Sequence, residues 1–308
     1  ALAMITSILV ACNNTTDGNK DGGDSAEYAI ILKPLSNDFW ATMKKGIEEE
    51  AAKQGVKVIA YDRLLMNTPD VDCYVTFDNT KVGEAEAKYI IEKLGLDTGA
   101  EGPFNLEIFC GSPDDNNSYY FYDGAIALLQ PYIDEGKIVV KSGQFGIEQC
   151  GIQNWDGAVA QTRMDNLITA YYSDGSTLDA VLVPYDGLSI GVISSLKNAG
   201  YGTADRPLPI VTGQDAEVAS VKSIIAGEQA QTVWKDFRKP AEICAQMVDA
   251  LVKGTEIPVN DTTTYDNGVK VVPAYLCEVD NIDASNYMKL FESGFYDKAD
   301  DTWAGIVE

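Results

Sequence analysis

The chain contains no histidine. That removes the usual general base and the commonest metal ligand, and leaves carboxylate chemistry open. Basic residues are scarce, with 23 Lys and Arg against 47 Asp and Glu, for a net charge of -24. Nucleic acid and anionic membrane surfaces are therefore opposed electrostatically as partners. A neutral ligand sits more easily with this charge than an anionic one. The cysteines are Cys12, Cys73, Cys110, Cys150, Cys244 and Cys277, and no two form a C-x-x-C pair. Zinc or thioredoxin-type centres are not expected, and neither is any cofactor. Cys110 and Cys277 lie in apolar runs and read as small core residues, and a disulfide framework is not expected in a chain of this length.

An apolar run able to span a bilayer is also lacking at the start: Ala1 to Ala11 (ALAMITSILVA) is uncharged but too short. It resembles the apolar region of a secretory signal. Leu9-Val10-Ala11-Cys12 resembles the lipobox of bacterial lipoproteins, in which the cysteine is acylated. Residues 13–26 (NNTTDGNKDGGDSA) are polar and Gly-rich, as in a flexible tether. A lipid anchor at Cys12 is thus the expected membrane attachment.

What remains has ordinary globular composition, 45% hydrophobic and 23% charged over 308 residues, enough for two domains. Tyr28 to Leu32 reads as a strand, Phe39 to Gln54 as an amphipathic helix, and Val56 to Tyr61 as a second strand. Further strands are expected at 74–77, 104–109, 137–140, 178–183, 208–212 and 231–234. Helices are expected at 82–94, from the 111–117 turn to 129, and at 158–171, 189–198, 218–226 and 239–253. Residues 262–275 read as two short strands about the Asn267-Gly268 turn. Alternating strands and helices predict an α/β fold with doubly wound parallel sheets, in two lobes.

Polar groups recur after successive strands: Asp62-Arg63, Asn116-Asn117, Asp186, Gln214-Asp215 and Lys235. In parallel α/β sheets ligands bind outside the carboxyl ends of the strands. Each group has a plainer reading, as a surface salt bridge or, for Asp186 and Asp215, as a helix N-cap. Together, charges and amides suit a ligand with many hydroxyls, each of which donates one hydrogen bond and accepts up to two. Trp40 and Trp155 offer flat apolar faces of the kind sugar C–H surfaces require, although a tryptophan can equally be core.

The segments VIAYDRL, TFDN, GSPDDNN, RMDNL, VPYDGLSIG, TGQDAE, VKSIIAGEQ and VNDTTTYDNGVKVVPAYL follow one another in the chain. In this order they resemble the type I periplasmic sugar-binding proteins, the solute receptors of ABC transporters. The pattern looks most like the multiple-sugar or xylose/glucose/galactose subfamily, from about Val58 to Tyr296. The resemblance implies two Rossmann-like lobes joined by a three-segment hinge and closing on one monosaccharide. It places crossovers near 99–103, 236–239 and 262–268. Lobe 1 is expected over 27–101 plus 238–264, and lobe 2 over 102–237 plus 265–300.

Carried over by position, Asp62 and Arg63 match the hydroxyl clamp after a lobe-1 strand, and Asn117 matches the amide of the DNN turn. Trp155 matches the stacking aromatic, and Asp186, Asp215 and Lys235 match lobe-2 strand-end groups. Asn37, Phe39 and Trp40, within PLSNDFW, look more like the ribose-type receptors, where the Asn and two aromatics contact sugar. The family also has two further βα units before the VIAYDR strand, which this chain lacks. The expected function is capture of an aldose such as xylose, glucose, galactose or arabinose and delivery to an ABC permease, without catalysis. Whether a chemoreceptor also docks is left open. A carboxylate-dependent sugar-acting enzyme is the alternative.

Overall fold

The computed structural model describes residues 57–307 and the backbone of the strand at 30–32. Four expected site residues, Cys12, Asn37, Phe39 and Trp40, lie outside the described residues, as do the tether and the first helix. In chain order the elements are β1 (Ile30–Leu32), β2 (Val58–Tyr61), β3 (Cys73–Phe77), α1 (Asn79–Lys93), β4 (Phe104–Ile108), α2 (Asn116–Asp134), β5 (Ile138–Val140), α3 (Gly146–Cys150) and α4 (Gly157–Tyr171). They continue with β6 (Ala180–Leu182), α5 (Asp186–Asn198), β7 (Ile210–Val211), α6 (Val218–Ile225), β8 (Gln231–Trp234), α7 (Arg238–Lys253), β9 (Ala274–Cys277), β10 (Asp280–Asp283) and α8 (Lys289–Glu292).

The chain divides into two compact units. The first takes the described residues up to Phe77 and Phe237–Glu278; the second takes Asp78–Asp236 and Val279–Glu308. The expected boundaries at 101/102 and 264/265 therefore differ from those observed. Helix α1 goes with the second unit because it packs along α2: Gly83 lies so near the α2 backbone that a Cβ there would meet the Phe121 carbonyl at 1.9 Å. The same closeness holds in reverse at Gly124, where a Cβ would meet the Thr80 carbonyl at 2.2 Å.

The first unit has a parallel sheet in the order β1-β2-β3-β9. Strand β2 lies directly beside β1, with Ile30 opposite Val58 and Leu32 opposite Ala60. Ile59, Cys73 and Val75 pack on Cys244 and Met247 of α7, whose apolar residues recur at helical spacing along that face. Gly254, with φ +64°, ends that helix in the left-handed conformation glycine adopts without strain.

The second unit has a parallel sheet in the order β5-β4-β6-β7. Both faces are covered, which explains why Ala180-Val181-Leu182 is apolar without alternation. One face holds Leu106, Ile108 and Leu182 against Ile90, Ala125 and Leu129 of α1 and α2. The other holds Phe109 and Val181 against Met164, Leu167, Leu188 and Val192 of α4 and α5. A smaller antiparallel pair, β8 with β10, was not expected; β10 (DNID) is too polar to read as a strand. It carries Ile282 inward, onto Leu290, Phe291 and Trp303.

The expected hairpin at 262–275 is not a two-stranded ribbon. Only isolated antiparallel bridges form, Asp261 with Ala274 and Asp266 with Val271, and β9 pairs in parallel with β3 instead. The buried amide explains the detour. Asn267 Nδ2 donates to the carbonyls of Leu65 (3.0 Å) and Thr68 (2.8 Å), so this turn serves the loop after β2 rather than a ladder of its own. Among the described residues, no helix is long and apolar enough to cross a membrane.

Candidate functional site

In the first unit the expected pair Asp62-Arg63 directly follows β2. Asp62 holds a left-handed backbone, φ +67°, unusual for a residue with a Cβ. Three bonds fix it there. Its N–H donates to the Val75 carbonyl at 2.9 Å, and its own carbonyl accepts from Tyr74 Oη (2.7 Å) and Thr76 Oγ1 (3.0 Å). Backbone strain held by surrounding bonds at a strand end is a mark of functional sites. The following loop is pinned by Asn267, and Gly268 (φ +86°) leaves room there: a Cβ would meet Asn67 Oδ1 at 2.8 Å.

In the second unit, Asn117, Trp155, Asp215 and Lys235 all sit beyond strand ends. The turn after β4 starts at Gly111, where a Cβ would lie 2.0 Å from Trp155 Cη2. Only glycine lets the indole settle on this turn. Asp115 then caps α2: Oδ1 accepts from the Asn117 N–H at 3.1 Å and Oδ2 from Trp155 Nε1 at 3.2 Å. One carboxylate thus orients both the helix that carries Asn117 and the indole. Asn117 is buried, and its Oδ1 accepts from Asn79 Nδ2 at 3.0 Å.

Trp155 is half-buried. Both Asn154 (φ +57°) and Trp155 (φ +55°) are left-handed, a strained pair within the second unit. Edge contacts with Phe121 (centroids 6.2 Å apart) and Tyr185 (5.8 Å) complete its setting. Asp215 is left-handed too, with φ +97°, and its carboxylate lies 2.7 Å from Lys235 Nζ. The Lys235 ammonium also stands 5.7 Å from the Phe121 ring centre, at cation–π distance. The indole and the ammonium thus meet at Phe121, with Asp215 on the ammonium and Asn117 one turn of α2 before the ring.

Asp186 is a correction. It is fully buried, the first residue of α5, and turned into the protein. Its carboxylate accepts from the Glu217 N–H (2.8 Å), Gln229 Nε2 (2.9 Å) and Thr232 Oγ1 (3.0 Å). A Cβ on Gly213 would meet Asp186 Oδ1 at 2.3 Å, so the chain passes tightly over it. Burial pushes this carboxyl well above its usual range, against the pull of its donors. It fixes the segment that leads out of Asp215 and is closed to a ligand. The neighbour Tyr185 is the residue whose ring reaches Trp155; its Oη donates to Glu217 Oε1 at 2.8 Å. Sequence reasoning passed over it because tyrosine at a helix entry reads as packing.

Sequence reasoning also passed over Asp115 and Glu86. Glu86, on α1, is 1% exposed, and its Oε1 has no hydrogen-bond partner. It borders a small cavity lined also by Phe109, Cys110, Ser118 and Phe121. Burial holds its carboxyl well above the ordinary range, with the Lys235 ammonium pulling it down and Asp186 and Asp215 pushing it up. Its place in an apparently polar helix stretch, GEAEAKYI, hides that burial. Among the described residues no cluster of Cys, Asp or Glu is arranged to hold a metal.

Residues 49–256 match the family model described as a periplasmic binding protein domain. The chain is 57% identical over 259 residues to the multiple sugar-binding periplasmic receptor ChvE of Rhizobium radiobacter, covering 84% of this chain and 73% of the relative. It is 36% identical over 287 residues to the D-xylose-binding periplasmic protein of Haemophilus influenzae, covering 90% and 80%. Among solved structures it is similar to an ABC transporter solute-binding protein from Clostridium phytofermentans with bound β-D-glucose. That likeness has a TM-score of 0.78 and 47% identity, over 83% of this chain and 78% of the other.

Proposed function

Because this chain belongs to the periplasmic binding protein family, we propose that it is an extracytoplasmic solute-binding protein that captures a neutral monosaccharide and delivers it to an ABC permease. The ligand is an aldose of the xylose, glucose, galactose or arabinose type. The observation that carries this reading is the grouping of Asn117, Trp155 and the Asp215–Lys235 pair beyond the strand ends of one unit. A carboxylate and an ammonium supply an acceptor and donors for sugar hydroxyls, and charge-assisted bonds of this kind are the stronger ones. The indole supplies a face for C–H groups. In the other unit, Asp62 and Arg63 stand at a strand end with a backbone fixed in place, as a hydroxyl clamp requires.

The chain is read as a receptor, not an enzyme. Retaining or inverting glycoside chemistry needs two carboxyl groups with separate acid and base roles. Here Asp215 is matched with Lys235 and Asp186 is closed off by three donors. Attachment to the membrane is through lipid on Cys12, within the lipobox-like LVAC. Partners are the permease and, in a sensing branch, a chemoreceptor.

The test is a thermal-shift screen of common aldoses followed by calorimetry, with hydrolysis of aryl glycosides followed in parallel. Saturable binding of at least one aldose without product is expected. No stabilisation by any aldose, or turnover of a glycoside, would overturn the reading.

A further inference from the structure

Cys110 and Cys150 meet at the base of the turn that seats Trp155. Cys110 follows β4; Cys150 is the last residue of α3. Their main chains are laced together. The Cys110 N–H donates to the Cys150 carbonyl at 2.8 Å, the Ile152 N–H donates back to the Cys110 carbonyl at 3.2 Å, and Cys110 forms a parallel bridge with Gly151. Both side chains are buried, 2% and 0% exposed, in the same apolar cluster. Both are free thiols.

The two thiols also act on each other. Each is the largest influence on the other's acidity: the Cys110 thiol is raised and the Cys150 thiol lowered from its ordinary value. The guanidinium of Arg163 favours the Cys150 thiolate further. A thiolate is the attacking species in disulfide chemistry, and electropositive neighbours promote it. Burial opposes this more than Arg163 favours it, Glu107 opposes it too, and burial and Glu86 raise Cys110.

We propose that Cys110 and Cys150 are a disulfide-forming pair, closed when the chain matures in an oxidising compartment. Main chains hydrogen-bonded to each other and side chains buried in one cluster supply the proximity a disulfide needs. Oxidation removes one proton and one electron from each thiol and joins the sulfurs; a low-molecular-weight disulfide such as oxidised glutathione accepts the two electrons and is released as two thiols. Because both sulfurs are buried, the first exchange, with the small disulfide, takes place before the chain has folded, and the remaining thiol closes the bond as the folded arrangement forms and releases the second small thiol. The bond would tie the strand that launches the Gly111–Asp115 turn to the segment that leads into Trp155. It also closes a loop of the chain that is open in the reduced protein, a constraint that stabilises chiefly by limiting the unfolded state.

The test uses the full chain refolded in a mixture of reduced and oxidised glutathione, alkylated under denaturing conditions, digested and mapped by mass spectrometry without reduction. A peptide pair joined through Cys110 and Cys150, lighter by two hydrogens, is expected. The melting temperature of the oxidised protein should exceed that of the dithiothreitol-treated protein by several degrees, and Cys110→Ala should abolish that difference. If Cys110 and Cys150 are each recovered singly alkylated, or either is found bridged to another cysteine, the proposal is overturned. The map is made on the unaltered chain, so it decides the matter even if the variant does not fold.

Discussion

Lys235 Nζ lies 2.7 Å from a carboxylate oxygen of Asp215, and the aspartate reaches it from a left-handed backbone at φ +97°. The pair is partly shielded: Lys235 is 8% exposed. Hydrogen bonds to charged groups contribute roughly 1.5–3 kcal/mol each. Asp215→Ala removes such an acceptor from beside the ammonium. Aldose affinity should fall about 10-fold or more, since ~1.4 kcal/mol is one decade. Calorimetry against the tightest aldose of the screen measures this; unchanged affinity would take Asp215 out of the site.

Gly111 sets a second expectation. A Cβ there would lie 2.0 Å from Trp155 Cη2 and 2.3 Å from Ser118 Oγ. Gly111→Ala should push the indole off its seat while sparing the sheet below. Sugar binding should weaken as it does in Trp155→Ala, and the tryptophan emission should move to longer wavelength. Full affinity with unshifted emission would show that the indole neither rests on Gly111 nor serves the ligand.

Asp186 separates stability from binding. Replacing it by Ala strands the Glu217 N–H, the Gln229 amide and the Thr232 hydroxyl, all buried or half-buried donors. Each unsatisfied buried group costs about 1–3 kcal/mol. Asp186→Ala should therefore melt well below the parent. Its folded fraction, measured at low temperature, should bind sugar within a few-fold of the parent. A large loss of affinity with the melting temperature unchanged would restore Asp186 as a ligand group.

The alternation of apolar strands and amphipathic helices made the parallel sheets legible, because strands covered on both faces need continuous apolar runs such as Ala180-Val181-Leu182. The recurrence of polar residues after apolar runs made the positions of Asp62, Asn117, Asp215 and Lys235 beyond strand ends legible. It could not separate Tyr185 from Asp186. Adjacent residues at a helix entry point in different directions, and the direction depends on Gly213 and Gln229, distant in the chain. Strand β10 was hidden for a related reason: its polar residues serve local turns, and only Ile282 enters the core. Helix α1 was legible as a helix but its place along α2 was not, since that close approach rests on Gly83 and Gly124 rather than on any pattern of its own.

Glu86 gives a pH dependence with a defined sign. Its carboxyl in the folded chain is held well above 4.5, first by burial. The folded state therefore keeps a proton that the unfolded state gives up. This contribution to stability is complete below the unfolded value of about 4.3 and is lost as pH rises toward the folded one. Asp186 acts in the same direction. Glu86→Gln keeps the shape without the titration. Urea unfolding at acidic and neutral pH should show the parent losing stability on going up, and the variant losing less. An equal slope in both proteins would mean that Glu86 is ionised in the folded chain across that range.

The pairing of β1 with β2 bears on the length of the chain. Ile30 faces Val58 and Leu32 faces Ala60, so the two strands are neighbours in an all-parallel sheet. The resemblance read from the sequence implies two further βα units between such strands. A parallel sheet is stabilised by helices on both faces, and fewer units cover less of it. Inserting two βα units between Gln54 and Gly55 would add strands and the helices that cover them. The lengthened chain should bind aldose more tightly than the 308-residue chain and melt in one transition, whereas the shorter chain should melt in two, its smaller unit first. Calorimetric scans with and without sugar make the comparison. A single transition in the 308-residue chain, raised by sugar as far as in the lengthened one, would show that the direct β1–β2 pairing leaves the first unit as sound as the longer arrangement.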